Sequence, residues 1–374
     1  MGIRKGIRTH SHLKKILWLS WRDIKNPDAG GAEKVAIEVA SRFVRDGTKV
    51  TIFTSKFKSS KAQEVIRGVK IVRKGNRLTC RFWAFLDYYK VYRNKVDIVI
   101  DEINTIPFFT KLYAKERKIS LIHQLAKEYW WSQTFFPLSL IGYILEPIYL
   151  KLYRNVLTIV PSNSTKKDLI NLGFNRIFIV KYGLDHRPLR EIPKKDPNLF
   201  LFIGRIIKPK GITDAIWAFK VITEKKPKAK LYIVGRGEPK YIQKVKNLII
   251  NLQLQKNVIF PNFVKTDKKR ELLKKALLVL IPSIREGWCL VPIEANAYGT
   301  PAIGYKVAGL IDSIKHQETG ILTEPNPDTL ATAAIKLAND QKTLTNYAKN
   351  GILWSKNFSW DKTYESFSQI LQNL

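Results

Sequence analysis

Residues 281–304, IPSIREGWCLVPIEANAYGTPAIG, constrain the fold of this chain more than any other stretch. An apolar run from Ala276 to Ile281 stops at Pro282. A polar turn with Arg285, Glu286 and Gly287 follows, then a short helix closed by Gly299. The unit is strand, loop, helix. Pro292 has no N–H to lose in the first helical turn, so Glu294 lies near the helix's positive end, eight residues after Glu286 in the loop. Two carboxylates beside free helix N–H groups suit a ligand that carries both hydroxyls and phosphate. Taken alone, the pair is equally a solvated loop residue and a favourable first-turn acid.

The same unit opens the chain. Lys15 to Ser20 reads as a strand, NPDAGGAE leads into a helix with Val35, Ala36, Val39, Ala40, Phe43 and Val44 on one face, and Lys49 to Thr54 is the next strand. Gly30 and Gly31 let backbone N–H groups approach an anion, or simply permit the turn. Further strands are expected at 69–72, 96–100, 119–123, 156–160 and 177–180, the pattern of a parallel, doubly wound α/β sheet. His123 falls at a strand end, the edge where such sheets bind ligands, although a lone His is more often structural.

In the second half, a strand from Asn198 to Ile203 runs into GRIIKPKG, where Gly204 opens the turn and Arg205 and Lys210 flank it. Two fixed cations at a strand end suit a diphosphate; the alternative is a plain basic loop in a basic chain. The strand Lys230 to Val234 with Gly235 and Gly237 after it is weak evidence by itself.

At 374 residues the chain fits two domains. Its formal charge of +34 is divided as +20 over residues 1–183 and +14 over residues 184–374. No zinc-finger spacing, aromatic RNA-binding signature or basic zipper accompanies it, so nucleic acid is not the expected partner and an anionic membrane surface is. Cys80 and Cys289 match no metal or redox spacing. The N-terminus, with Arg4, Lys5, Arg8, Lys14 and Lys15, precedes an apolar run too short for a signal peptide, so a cytoplasmic location is expected, with peripheral attachment to a membrane's cytoplasmic face. The uncharged run Tyr129 to Leu145 is too interrupted to span a bilayer. With the aromatic and basic residues 81–92 it is suited to a lipid interface, or else forms a buried helix pair.

The Glu-x7-Glu spacing within EGWCLVPIEANAYGTPAIG resembles the signature of the retaining glycosyltransferases of family 4, which have the GT-B fold of two Rossmann-like domains facing a cleft. GGAE, GRIIKPKG, VPSNSTKKDLINLGF and HQETGILTEPNPDTLATAAI fit the same family. The resemblance runs from about Leu17 to the C-terminus and is densest over 198–322. It implies an acceptor-binding domain over 1–183, a linker over 184–197, a nucleotide-sugar domain over 198–355 and a helix over 356–374 crossing back to the first domain. It further implies that Glu286 binds the transferred sugar's hydroxyls, Glu294 the ribose, and Arg205 and Lys210 the diphosphate. His123 packs against the sugar, and Gly30, Gly31, Gly204, Gly287, Trp288, Cys289 and Leu290 line the donor. Asn262, Phe263 and Val264 border the base. Cys289 stands where the family usually has Gly, and Trp288 where it has Phe.

The implied reaction moves a hexose-type sugar from a nucleotide-sugar to a saccharide or lipid-linked acceptor, with no metal and no cofactor. The residues leave base, sugar and acceptor open. A GT-B sugar-nucleotide epimerase is the rival enzyme, and a basic nucleic-acid-binding protein the rival from another class.

Overall fold

The computed structural model describes residues 13–373; Arg4, Lys5 and Arg8 lie outside them. Fourteen strands form two sheets among the described residues. The first holds β1 (Lys15–Leu19), β2 (Lys49–Thr54), β3 (Gln63–Ile66), β4 (Val69–Arg73), β5 (Ile98–Ile103), β6 (Arg117–Ile122), β7 (Leu157–Val160) and β8 (Ile177–Ile179). The second holds β9 (Leu199–Ile203), β10 (Lys230–Val234), β11 (Val258–Asn262), β12 (Leu278–Ile281), β13 (Ala302–Tyr305) and β14 (Gly320–Thr323). Their spatial orders are 3-4-2-1-5-6-7-8 and 11-10-9-12-13-14. Each order reverses beside its first strand, between β1 and β5 and between β9 and β12, and such reversals open a crevice at the strands' C-terminal ends.

The second sheet is parallel throughout. The first is parallel, as expected, except at its edge. β3 pairs antiparallel with β4 through a tight turn at Arg67 and Gly68, both at positive φ, the geometry of a two-residue hairpin. QEVI carries too little apolar pattern to be read as a strand. It is held instead by Glu64, whose carboxylate meets the fully buried Arg73 at 2.6 Å, while Asp23 takes the other prongs of that guanidinium at 2.7 and 2.9 Å.

β5 also differs from its expected span of 96–100. It continues through Asp101 and Glu102 because both buried carboxylates have donors. Asp101 accepts from Phe108 N, Thr110 Oγ1 and Tyr153 Oη at 3.0, 2.9 and 2.6 Å. Burial still pushes its carboxyl upward. Glu102 accepts from Trp18 Nε1 at 2.6 Å. An apolar run marks where a strand is buried, not where it ends.

After the second sheet the chain returns to the first. The helix Trp360–Gln372 is capped by Ser359, whose side chain accepts from Lys362 N. Its stripe of Trp360, Phe367 and Leu371, spaced for one helical face, is buried in the first domain's core. Phe367 stacks on Trp18 at 6.1 Å, Tyr364 meets Phe43 edge-on at 4.9 Å, and Asp361 pairs with Arg42 at 2.7 Å. The linker is tied down as well. Asp185 accepts from Trp360 Nε1 at 2.9 Å, and Lys195 Nζ donates to Tyr298 O at 2.9 Å and Thr300 Oγ1 at 2.6 Å.

Phe367→Ala is expected to cost about 3–5 kcal/mol, since the cavity beneath Trp18 cannot collapse within a closed sheet-and-helix core. The exposed Gln369→Ala should stay within about 0.5 kcal/mol. Guanidinium midpoints at unchanged m-value measure both.

Candidate active site

Four strand ends converge where the domains meet. β1 leads to Arg22 and the Gly30 loop, β6 to His123, β9 to Gly204 and Arg205, and β12 to Glu286. The helix Gly31–Arg45 starts from Gly30, whose N–H donates to Glu33 Oε2 at 2.7 Å, while Arg22 Nε donates to Glu33 Oε1 at 2.8 Å. Glu33 therefore sets the glycine loop and aims Arg22. This loop faces the other domain: a β-carbon on Gly30 would lie 3.9 Å from Arg205 Nε, and one on Gly31 3.8 Å from Leu290 Cδ1.

At the centre, Lys210 forms an ion pair with Glu286, both side chains being largely buried. Burial works to discharge the ammonium, but Glu286 together with the neighbouring Tyr129 and Cys289 outweighs it and holds Lys210 above the ordinary lysine range. Tyr129, from the first domain, stands in the field of Lys210, Glu286 and Arg205. Burial pushes its phenol up, and its hydroxyl donates to the Arg285 carbonyl at 3.2 Å. Cys289 lies beside the same pair. Burial and Glu286 push its thiol well up, against the opposing pull of Lys210, and so disfavour the thiolate. Its backbone, at φ 55° and ψ 103°, begins the helix Leu290–Ala297. That left-handed conformation suits Gly and costs a side-chain-bearing residue about 1–3 kcal/mol.

Glu294 occupies a second cluster. It pairs with Lys269 at 2.5 Å, near Arg270, His186 and Tyr298. The two carboxylates of the sequence motif thus keep different cationic partners and reach different parts of the cleft.

Two glycines fix the Glu286 loop by close approach. A β-carbon on Gly287 would fall 2.0 Å from the His123 carbonyl oxygen across the domain boundary. Gly309, at φ 78°, would strike Glu286 O at 2.3 Å, and its N–H donates to Ser164 Oγ at 2.9 Å. Further bonds cross the same boundary. Arg285 binds Glu128, and reaches Asp168 at 2.8 Å. Asp312 accepts the N–H groups of Asn163 and Ser164 at 3.0 and 3.3 Å.

Of the residues singled out from sequence, Gly30, Gly31, Arg205, Lys210, Glu286, Gly287, Cys289 and Leu290 come together here, with Gly204 leading into Arg205. His123 reaches the site with its backbone; both ring nitrogens are engaged, Nδ1 with Tyr182 Oη at 2.6 Å and Nε2 with Glu102 Oε1 at 3.0 Å. Trp288 departs from expectation. Its ring is buried against Phe358 at 5.4 Å in the core shared with the first domain, so only its backbone remains for a donor. Sequence reasoning gave no site role to Arg22, Tyr129 and Lys269, and took in Glu33 only as the last residue of GGAE. Arg22 and Glu33 carried a signal, standing just after a strand and three residues past the Gly30 cap; Tyr129 and Lys269 carried none.

The family models complete the picture. "Glycosyltransferase Family 4" matches residues 29–187 and "Glycosyl transferases group 1" residues 188–354. A glycosyltransferase of Methanocaldococcus jannaschii is 36% identical over 171 residues, 44% of this chain and 42% of the relative. The capsular polysaccharide biosynthesis glycosyltransferase CapM of Staphylococcus aureus is 30% identical over 210 residues, 52% of each chain. This chain spans about half the length of these curated relatives. In structure it is similar to sucrose-phosphate synthase from Thermosynechococcus elongatus, with a TM-score of 0.81 at 19% identity, covering 96% of this chain and 98% of that one. It is also similar to WaaG, a glycosyltransferase involved in lipopolysaccharide biosynthesis, with a TM-score of 0.76 at 17% identity over 95% and 99%. The chain belongs to the group 1, family 4 glycosyltransferases and has their two-domain GT-B fold.

Proposed function

We propose that this chain is a retaining glycosyltransferase that moves a hexose-type sugar from a nucleotide-sugar held by the second domain to a saccharide or lipid-linked acceptor brought in over the first. The observation that carries the reading is the buried Lys210 and Glu286 pair, with Arg205 facing the Gly30 loop across the cleft. A nucleotide-sugar is supported further by a structural neighbour, Anabaena HepE, solved in complex with UDP-glucose. Relatives named as a D-inositol 3-phosphate glycosyltransferase and an N-acetyl-alpha-D-glucosaminyl L-malate synthase fit the same class of reaction.

Cleavage of the bond between the anomeric carbon and the phosphate oxygen leaves negative charge on the diphosphate. Donors already in place favour that transition state over the ground state. Arg205 supplies a two-pronged donor and Lys210 a point charge, with the first N–H groups of the Leu290–Ala297 helix beside them. Lys210 is kept charged by Glu286 until a phosphate replaces it as partner, which frees Glu286 to accept from the sugar's hydroxyls. Glu294 and Lys269 hold the ribose end.

Retention follows from attack on the face the phosphate leaves. The acceptor oxygen bonds to the anomeric carbon while its proton passes to the departing phosphate oxygen, and no carboxylate pair is needed as nucleophile and acid. With cations supplied by the protein, the reaction proceeds without a divalent metal. Incubation with donor alone separates transfer from epimerisation, because an epimerase turns over without acceptor.

Arg205→Ala and Lys210→Gln should each lower turnover at saturating donor by about a hundredfold or more. Near-normal turnover in both, or activity abolished by EDTA and restored by Mg²⁺, contradicts the proposal. The two carboxylates should separate. Glu286→Gln lowers turnover while the donor's nucleoside diphosphate still binds, whereas Glu294→Gln weakens that nucleoside diphosphate itself by about 1.5–3 kcal/mol, the scale of charged hydrogen bonds. Calorimetric titration of variants shown to be folded measures this, and the reverse pattern would refute the assignment.

A further inference from the structure

The helix Leu138–Lys151 is inverted relative to an ordinary surface helix. It buries Ser139, Gly142, Glu146 and Leu150, and exposes Leu138, Ile141, Ile144, Leu145 and Ile148. A helix on a water-facing surface does the opposite. The inversion is held by specific bonds. Glu146 accepts from the N–H groups of Ala126 and Lys127 at 2.5 and 2.8 Å and from Trp130 Nε1 at 3.2 Å. The Trp130 ring lies directly on Gly142, where a β-carbon would come within 2.2 Å of it. The polar stripe is pinned to the protein, and among the described residues the apolar stripe has nothing over it.

The face extends in both directions. Phe135 and Phe136, in the preceding loop, are 71% and 73% exposed. On the other side, Tyr149 donates to Thr105 O at 3.0 Å and its ring meets Phe109 edge-on at 6.4 Å. Arg81 then ties the helix Cys80–Asp87, with its exposed Phe82 and Trp83, to the carbonyls of Ile106 and Pro107 at 2.7 and 3.1 Å. These segments follow the C-terminal ends of β4, β5 and β6, so the face borders the cleft. Hydrogen bonds and a ring contact tie these exposed apolar segments to one another.

Its charge selects the occupant. The acidic groups near it are used within the protein: Asp87 pairs with Lys74, Glu116 accepts from Tyr88, Glu128 pairs with Arg285, and Glu146 is buried. Lys90, Lys111 and Lys151 stay exposed, next in sequence to exposed Tyr89, Leu112 and Leu152. Apolar side chains flanked by free cations match an anionic lipid surface, where rings enter the acyl boundary and ammonium groups reach phosphates. A second copy would set one +34 chain against another.

We propose that this face docks on an anionic lipid bilayer, with the Leu138–Lys151 helix lying in the headgroup plane and the cleft opening beside it. No helix among the described residues is long and apolar enough to cross a membrane, so docking is to one leaflet. If the transferase reading holds, on which this last step rests, the acceptor is carried by lipid.

Sedimentation with phosphatidylglycerol-containing vesicles and with neutral phosphatidylcholine vesicles tests the docking, alongside thermal unfolding and titration with UDP, GDP, ADP and CDP. Wild-type protein should bind the anionic vesicles about tenfold or more tightly than the neutral ones. Ile141→Glu/Ile148→Glu, and separately Phe135→Ser/Phe136→Ser outside the helix, should lose at least that factor with unchanged melting temperature and nucleoside diphosphate affinity. Absence of wild-type binding to anionic vesicles overturns the proposal, as does wild-type-like binding by both folded variants. Self-association that the variants abolish, without vesicle binding, would make a second copy the occupant instead. Vesicle binding by a wild-type protein that takes none of UDP, GDP, ADP or CDP leaves the docking intact and sinks the transferase reading alone.

Discussion

The buried pairing of Lys210 with Glu286 is the constraint on which the cleft depends. Two opposite charges out of water are tolerated only together, and removing either leaves an uncompensated charge that costs several kcal/mol. The pair therefore fixes the turn after β9 against the loop after β12, at the reversal point of the second sheet. Cys289 and Tyr129, both raised first by burial, stand in the field of this pair. The loop can hold the pair only because Gly287 and Gly309 leave room for the His123 carbonyl and the Glu286 backbone.

The contacts joining the two domains differ on the two sides of this centre. Behind it, Trp288, Ile293 and Ala297 of the second domain enter the first domain's core with Phe358 and Trp360. That seam is apolar and closely packed, and separating it would expose all of those side chains. Across the cleft mouth the contacts are ionic or hydrogen-bonded: Arg285 with Glu128 and Asp168, Asp312 with the start of the Asn163–Ile170 helix, Gly309 with Ser164. Water replaces such bonds at small net cost. The packed seam thus holds the two domains together more firmly than the polar mouth does.

The inverted helix shows how a local polar anchor redirects an entire face. Glu146 takes three buried donors, and that satisfaction outweighs leaving Ile141, Ile144 and Ile148 in water in the isolated chain. Tyr129 and Trp130 begin the same uncharged run, yet both turn inward, one toward Arg285 and the other onto Gly142. Composition grouped all of these aromatics together; only the backbone path divides them between cleft and surface.

The α/β class, most strand positions, the Glu-x7-Glu loop and the GRIIKPKG cations were legible in the sequence because each is a local pattern of apolar period, glycine turn and nearby charge. The edge strand β3, the continuation of β5 through Asp101 and Glu102, and the burial of Trp288 were not. Each depends on partners remote in sequence: Arg73 for β3, Tyr153 and Trp18 for β5, Phe358 for Trp288. The cleft divides in the same way. Its glycines, Arg205, Lys210 and both glutamates could be named in advance, whereas Tyr129, Lys269 and the engaged ring of His123 became visible only on folding. Sequence by itself determined which groups can bind an anion or a hydroxyl. The tertiary structure decided which of them meet, because pairing a buried charge is a condition on distance in space, and separation along the chain does not encode it.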